Sequence, residues 1–391
     1  MIATIQKLFD HGLAYQTKSG VYFSVRKFPN YGRLSGKNIE ELESGARVSV
    51  DEEKEDPLDF ALWKASKPDE PKWPSPWGEG RPGWHIECSA MSSKYLGQPF
   101  DIHGGGADLI FPHHENEIAQ SEGACGCKFT KYWMHNGFIN INSEKISKSL
   151  GNIMTISEIR RRHDFEAIRY FLLSSHYRSP IDYTDTAITE ASAAVDRFYE
   201  MTARLSPPST PSPPEGDLPA GQAGGLGEVA MEKELLKSLG SAKVKIVAFM
   251  DDDFNSAGAF GVLFELIRAT NKYLDTFDAR PEPARLAEAP SKRVEGRNEW
   301  LSIRWKELAS TFNLIFGIFG TDPAKYHERR KQIATTSKGV DSSAVENLIA
   351  DRKEARKAKD FAKADAVKKQ LTDMGIELKD RPDGTTEWKV K

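Results

Sequence analysis

FDIHGGGADLIFPHHENEIAQSE, residues 100–122, carries the densest chemistry in the chain, and the rest is best read outward from it. GWHIEC (Gly83–Cys88) stands upstream and KISKS (Lys145–Ser149), followed by Leu150-Gly151-Asn152, downstream. His113 and Glu117 are four residues apart just after Pro112, a residue suited to the first helical position. That spacing puts imidazole and carboxylate on one helix face, about one turn apart. With the thiolate of Cys88 they form a sulfur, nitrogen and oxygen donor set. Such a set suits zinc better than calcium or magnesium and is one ligand short of a closed tetrahedron. Taken singly, Cys88 reads as a small buried hydrophobe and the other two as a surface pair. Together, beside three glycines, they favour a site.

Gly104, Gly105 and Gly106 let the backbone approach a flat ligand or a phosphate, and the carboxylate of Asp108 is placed to bind ribose hydroxyls. Glycine also serves ordinary turns, so the run gains its meaning from its neighbours. Lys145 and Lys148, with two serines on a short loop, can wrap a polyphosphate and neutralise charge as pyrophosphate leaves. Two lysines alone would read as a solvated basic loop.

KISKS resembles the KMSKS signature of class I aminoacyl-tRNA synthetases, with Ile146 at the usual methionine. GWHIECSAM, FDIHGGGADLIFPHHENEIAQSE and KISKSLGN together resemble the cysteinyl-tRNA synthetase family, and the similarity runs to the C-terminal EARKAKDFAKADAVKKQL. The resemblance implies one zinc per chain on Cys88, His113 and Glu117, and an amino-acid pocket lined by Trp84. It also implies ATP contacts at Lys148, Gly105 and Asp108, with Lys145 and Lys148 as the catalytic lysines and Mg2+ accompanying ATP. The implied reaction activates cysteine as cysteinyl-adenylate and transfers it to tRNA(Cys). A zinc with a free position would bind the substrate thiolate, which serine cannot imitate, and so discriminate by about four to five decades without editing.

The family's His-Ile-Gly-His signature, with a further zinc-binding cysteine, is not found: of nine histidines only His113 and His114 are adjacent. The expectation is therefore a chain lacking the first part of its catalytic fold, with three protein zinc ligands plus water or an outside thiol. It is then inactive alone, or a tRNA-binding remnant. A cysteine ligase acting on an amino sugar is another reading, disfavoured by the long helical and basic C-terminal region.

The implied fold class is α/β: the C-terminal half of a class I synthetase nucleotide-binding, Rossmann-like catalytic domain with an insertion, then an α-helical bundle and a small C-terminal domain. The expected divisions are 1–82 (connective insertion), 83–185 (catalytic half), 186–330 (helical tRNA-docking bundle) and 341–391 (small basic anticodon-binding domain). At 391 residues and 39% hydrophobic composition the chain can build several cores. A net charge of -3 excludes a generic polyanion binder, so RNA would meet local basic patches. Without a signal peptide or membrane-length apolar run, a cytoplasmic protein with no membrane partner is expected, with a monomer as the default. Three cysteines exclude a disulfide scaffold, and Cys125 and Cys127, about 12 Å beyond Glu117, read as ordinary reduced thiols.

Ile5, Leu8, Phe9 and Leu13 predict a helix over 1–16, and Val21–Val25 and Asp59–Lys64 predict strands. Glu40–Glu55 reads as an acidic surface segment and Trp73–Gly78 as a rigid turn. Thr155–Glu158 has capping-box form, Phe165–Ser174 reads as a helix with Ile168, Phe171 and Leu172 inward, and His176–Pro180 breaks it. Helices are expected at 190–205, 228–250, 256–277 and 299–319, with loops at 206–227 and 280–298. Asp251–Asp253 read as caps and solvated acids rather than a metal site. Residues 327–341 read as a polar linker, 342–372 as a Lys- and Arg-rich helix, and 380–384 as a hairpin turn. The basic face either binds RNA backbone or is a solvated surface paired with Glu354, Asp360 and Asp365, and composition leaves both open.

Overall fold

The structure, a computed structural model, describes residues 1–38, 53–142, 144–145, 155–205, 226–278, 292–380 and 386–390. It divides into two compact units, 1–138 with 178–180, and 139–177 with 181–391.

The first unit contains α1 (Ile2–Asp10), β1 (Ala14–Gln16), β2 (Gly20–Phe23), β3 (Phe60–Ala65), β4 (Gly80–Pro82), α2 (Trp84–Leu96), β5 (Phe100–Gly106), α3 (Glu115–Cys125) and β6 (Thr130–Asn136). The predicted first helix stops at Asp10 because Gly12 turns the chain at φ +73, freeing Ala14–Gln16 to pair with β2. The two expected strands form as β2 and β3, in an antiparallel sheet ordered β1-β2-β3-β4. Ile5, Leu8, Val21, Phe23, Leu62 and Ile118 meet in one core. The Trp73–Gly78 turn is closed by paired backbone bonds between Trp73 and Gly80 (2.8 and 3.0 Å). Of the acidic segment, residues 40–52 lie outside the described residues.

β5, α3 and β6 make a right-sized βαβ crossover in which the two strands pair in parallel, Gly105 opposite His135. The helix proper starts at Glu115 rather than at Pro112, which sits in a wide turn over Ile110–His114 where Phe111 is extended (φ -139, ψ 131). α3 buries polar groups as well as apolar ones, among them Glu115, Asn116, Glu117, Gln120 and Ser121. Each needs a partner inside the protein. Glu115 accepts from the Leu34 and Ser35 N–H groups (3.1 and 2.9 Å), Tyr31 donates to Asn116, and Ser89 donates to Gln120 (2.8 Å). The reduced-thiol expectation is overturned at the end of α3: Cys125 and Cys127 are joined in a disulfide. Gly126 between them takes the left-handed conformation (φ +72) and folds the chain back, leaving the Cα atoms 5.2 Å apart, within bridging range.

The second unit contains β7 (Ile139–Ile141), β8 (Glu144–Lys145), α4 (Ile156–Ile159), α5 (Phe165–Leu173), β9 (Ile181–Tyr183), α6 (Asp185–Leu205), α7 (Leu226–Asp251), α8 (Ser256–Asp278), α9 (Lys292–Phe316), α10 (Pro323–Lys338), α11 (Ser342–Lys357), α12 (Phe361–Asp373), β10 (Ile376–Asp380) and β11 (Thr386–Val390). The Thr155–Glu158 capping box forms as expected. On α5, Ile168 and Phe171 are buried, while Leu172 is 37% exposed and Ala167 takes the inward position instead. The cap of α8 is Asn255, which accepts from the Gly258 N–H (2.9 Å), not an aspartate of Asp251–Asp253. Residues 206–225 and 279–291 lie outside the described residues, whereas 292–298, expected within the second loop, are helical. The expected linker at 327–341 is instead helix α10, bounded by the Asp322 cap with Pro323 after it and by left-handed Gly339. Its weak apolar patterning hid it, although those end signals were present. Residues 342–372 form two helices, not one, because Lys359 turns at φ +61 and Asp360 caps α12. Arg352 is not on an open basic face: it is buried and makes a bidentate pair with Asp380 of β10 (2.8 and 2.8 Å). Lys353, Arg356 and Lys357 remain exposed. Among the described residues, no helix is long and apolar enough to cross a membrane.

Two buried carboxylates hold this unit together. Asp164 and Glu166, 0% and 1% exposed, start α5, and Arg329 of α10 pairs with both. Glu166 also accepts from Tyr199 (2.8 Å), the Phe319 N–H (2.7 Å) and Thr321 (2.9 Å). Removing the guanidinium leaves two charges inside without a counter-charge. Arg329→Met should therefore destabilise this unit by about 3–5 kcal/mol in urea unfolding, with Arg329→Lys intermediate.

The Arg352 guanidinium holds the Asp380 carboxyl well below the usual carboxylate range. A depressed carboxyl stabilises above its unfolded pKa, about 3.9, and loses that contribution as pH falls toward its folded value. Asp380→Asn should cost about 1–2 kcal/mol at pH 7, after allowance for the partial exposure of Asp380, and progressively less below pH 4. Hydrogen exchange of the β10 amides, followed against pH, reads both.

A candidate metal centre in the first unit

Gly83 sets the entry to the site. A Cβ there would stand 1.9 Å from the Ala61 carbonyl oxygen, so only glycine lets α2 begin tight against β3. The Gly83 N–H bonds Leu62 O (2.9 Å), and the first turn of α2 then carries Trp84, His85 and Cys88. The wide turn and α3 supply His113, His114 and Glu117; β5 supplies His103 and β6 His135.

The donor atoms of Cys88, His113 and Glu117 all lie within 4.8 Å of one another, as do those of His103, His114 and Glu117. Glu117 is fully buried, and the Nε2 atoms of His103 and His113 come within 2.8 and 3.2 Å of its Oε2 and Oε1. Both contacts lie off the line a hydrogen bond requires, so neither oxygen has a donor in good geometry. A buried carboxylate so placed, with a thiol and an imidazole converging beside it, fits a soft divalent cation such as zinc. Behind this set, His85 Nδ1 meets His113 Nδ1 at 2.7 Å and His114 Nδ1 meets His135 Nε2 at 2.8 Å. Burial, and for His85 the neighbouring His113, pushes His85 and His114 down to about 4, so both are neutral at pH 7. Burial and the Glu117 charge push the Cys88 thiol up to about 11, which keeps it protonated until a cation displaces the proton. Burial by itself would raise Glu117; the His103 and His113 imidazoles outweigh it and hold the carboxyl at about 2.

Trp84 is 63% exposed and lays its ring 4.7 Å from that of His113. Gly105 has a packing reason for its identity: an added Cβ would meet His114 Cε1 at 2.8 Å and Leu109 at 3.0 Å. Asp108 is exposed on the turn that follows the carboxyl end of β5, where open α/β sheets bind ligands. Lys145 lies on β8 of the second unit, and Lys148 falls outside the described residues. Sequence reasoning singled out Cys88, His113 and Glu117 but passed over His85, His103, His114 and His135. The available signal was the crowding of five of nine histidines into residues 85–135.

Gly105→Ala should drive the Cβ into an imidazole tethered to His135 and destabilise the first unit by about 1–3 kcal/mol. Thermal unfolding of the variant without nucleotide reads this directly; unchanged stability would leave close approach of a ligand as the reason for glycine.

Comparison with known families places these elements. Residues 1–193 match the family described as tRNA synthetases class I (C) catalytic domain, 245–294 the DALR domain, and 342–388 the cysteinyl-tRNA ligase anticodon binding domain. The cysteine-tRNA ligase of Pelobacter propionicus is 46% identical over all of this chain and 76% of its own length. That of Thermodesulfovibrio yellowstonii is 48% identical, over all of this chain and 75% of its length. Among solved structures, methionyl-tRNA synthetase of Mycobacterium tuberculosis bound by methionyl-adenylate superposes with TM-score 0.55, covering 81% of this chain and 72% of that one. At 14% identity that likeness shows the fold alone.

Proposed function

Because the chain belongs to the cysteine-tRNA ligase family, we propose that it activates cysteine with ATP and esterifies it to tRNA(Cys), selecting cysteine at the Cys88, His113 and Glu117 cluster. The observation that carries this reading is the fully buried Glu117 carboxylate, whose two oxygens lack a well-placed donor while a thiol and an imidazole converge on it. Cys88, His113 and Glu117 would hold one zinc. When bound, zinc with a free coordination position supplies a Lewis acid for the thiolate of substrate cysteine, which a serine hydroxyl cannot replace.

The chain's own residues do the rest. Trp84, exposed beside His113, closes the amino-acid side of the pocket. The neutral His85 and His114 exclude competing positive charge from the cluster. Asp108, exposed after the carboxyl end of β5, binds ribose hydroxyls, and the Gly104–Gly106 backbone lies flat against the nucleotide. Lys145 and Lys148 neutralise the charge that develops as pyrophosphate leaves, and magnesium accompanies ATP. Such a reaction needs positioning and charge stabilisation, with no covalent enzyme intermediate. The exposed Lys353, Arg356 and Lys357 of α11 contact RNA phosphates, in the segment similar to an anticodon-binding domain. The expected divisions at 1–82, 83–185, 186–330 and 341–391 serve as insertion, catalytic half, tRNA-docking bundle and anticodon domain of a cytoplasmic monomer.

The purified chain should bind about one zinc, and Cys88→Ser should lose it by at least tenfold in affinity, because the thiolate is the strongest donor of the three. Cysteine-dependent exchange of pyrophosphate into ATP, measured on both proteins with serine as competitor, tests the reading. A chain that takes up no zinc, or a Cys88→Ser variant that activates cysteine as well as before, overturns it.

A further inference from the structure

His103 opens the HGGGAD segment yet has no part in the set just described. It is 16% exposed in its side chain, caged by the rings of Phe100, Phe129, Trp133 and His114 at 5.6, 5.4, 4.8 and 4.9 Å. The cage fixes the ring plane, and its Nε2 stands 2.8 Å from Glu117 Oε2. The other carboxylate oxygen, Oε1, is the one beside His113 Nε2 at 3.2 Å. The two oxygens of one buried carboxylate are thus divided between two imidazoles. His113 groups with Cys88 on this carboxylate, and His103 groups with His114.

We propose that His103 is a positioning residue: its caged imidazole, with Nε2 2.8 Å from Glu117 Oε2, keeps the carboxylate turned so that Oε1 is the oxygen held beside His113, leaving room for the incoming thiol. The inference rests on the zinc reading above. Outer partners of this kind orient ligating carboxylates, and their loss typically weakens metal binding 10–100-fold. Without His103, Glu117 is free to turn and offer both oxygens, filling the position that substrate requires.

The alternative is that His103 and His114 are ligands themselves, since they also cluster with Glu117. His114 Nδ1 is already bonded to His135 at 2.8 Å, so Nε2 is the atom it could offer to such a set, and substitution separates the two roles.

The test compares wild type, His103→Phe, which keeps a ring in the cage, and His103→Gln, which keeps a polar side chain beside Glu117. Zinc affinity is read by competition with a chromophoric chelator, and coordination by the visible absorption of the cobalt(II)-loaded proteins, each titrated with cysteine. Circular dichroism of the metal-free chains checks the fold. His103→Phe should still bind one metal per chain, with affinity 10–100-fold weaker, a weaker cobalt band of higher coordination number, and a reduced response to cysteine. His103→Gln should recover most of each. Unchanged affinity and spectrum in His103→Phe, with zinc bound by wild type, overturn the inference and leave the zinc reading standing. If His103→Gln and His114→Phe both fall as far as His113→Ala, His103 is a ligand and the positioning role is wrong. A wild-type chain that binds no zinc removes the metal centre and this inference together.

Discussion

A single fully buried carboxylate, Glu117, constrains the first unit. A charge in that position is expensive unless it is paired, and burial alone would push its pKa up. The surrounding elements answer this constraint in turn. Gly83 seats α2 against β3 so that Cys88 reaches inward; the wide turn at Ile110–His114 aims His113 before α3 begins; β5 brings His103 from the far side. Even Gly105 is explained by it, since its missing side chain makes room for His114, which completes the imidazole layer.

The second unit solves the same problem with a different donor. Asp164 and Glu166 are as deeply buried as Glu117, but a guanidinium, a phenol, a threonine hydroxyl and a backbone N–H satisfy them directly. Nothing is left over for a ligand. The contrast separates a structural carboxylate from one available to a metal: both are charged and inside, and only the second has oxygens without an aligned donor.

Helices with strong apolar periodicity or clear end signals were legible before the structure, including the capping box at Thr155 and the long helix ending at Leu205. Where the reading missed, local physics explains it. Gly12 ended the first helix early, and Lys359 with Asp360 divided the basic helix in two. α10 escaped notice because its face toward the unit is narrow: Tyr326 is fully buried, while Arg329 and Arg330 make ion pairs that a hydropathy pattern does not register. Arg352 was misjudged for the same reason, as its partner Asp380 lies 28 residues away. Cys125 and Cys127 looked like separate thiols because nothing in their spacing announced that Gly126 would reverse the chain between them.

By itself, the sequence determined the chemical alphabet of the centre and the family to which the chain belongs. Cys88, His113 and Glu117 are a donor set by their atoms alone, and the motifs around them are contiguous, so order along the chain was enough. What the tertiary structure decided is which groups surround that set and how each is oriented. His85, His103, His114 and His135 arrive from a helix, two strands and a turn, and their distances to Glu117 and to one another arise only when β5 and β6 pair in parallel over α3. Such contacts join residues up to 28 positions apart, a separation at which the periodicity of helix and strand carries no information. Donor chemistry is a property of residues, whereas its geometry is a property of the fold.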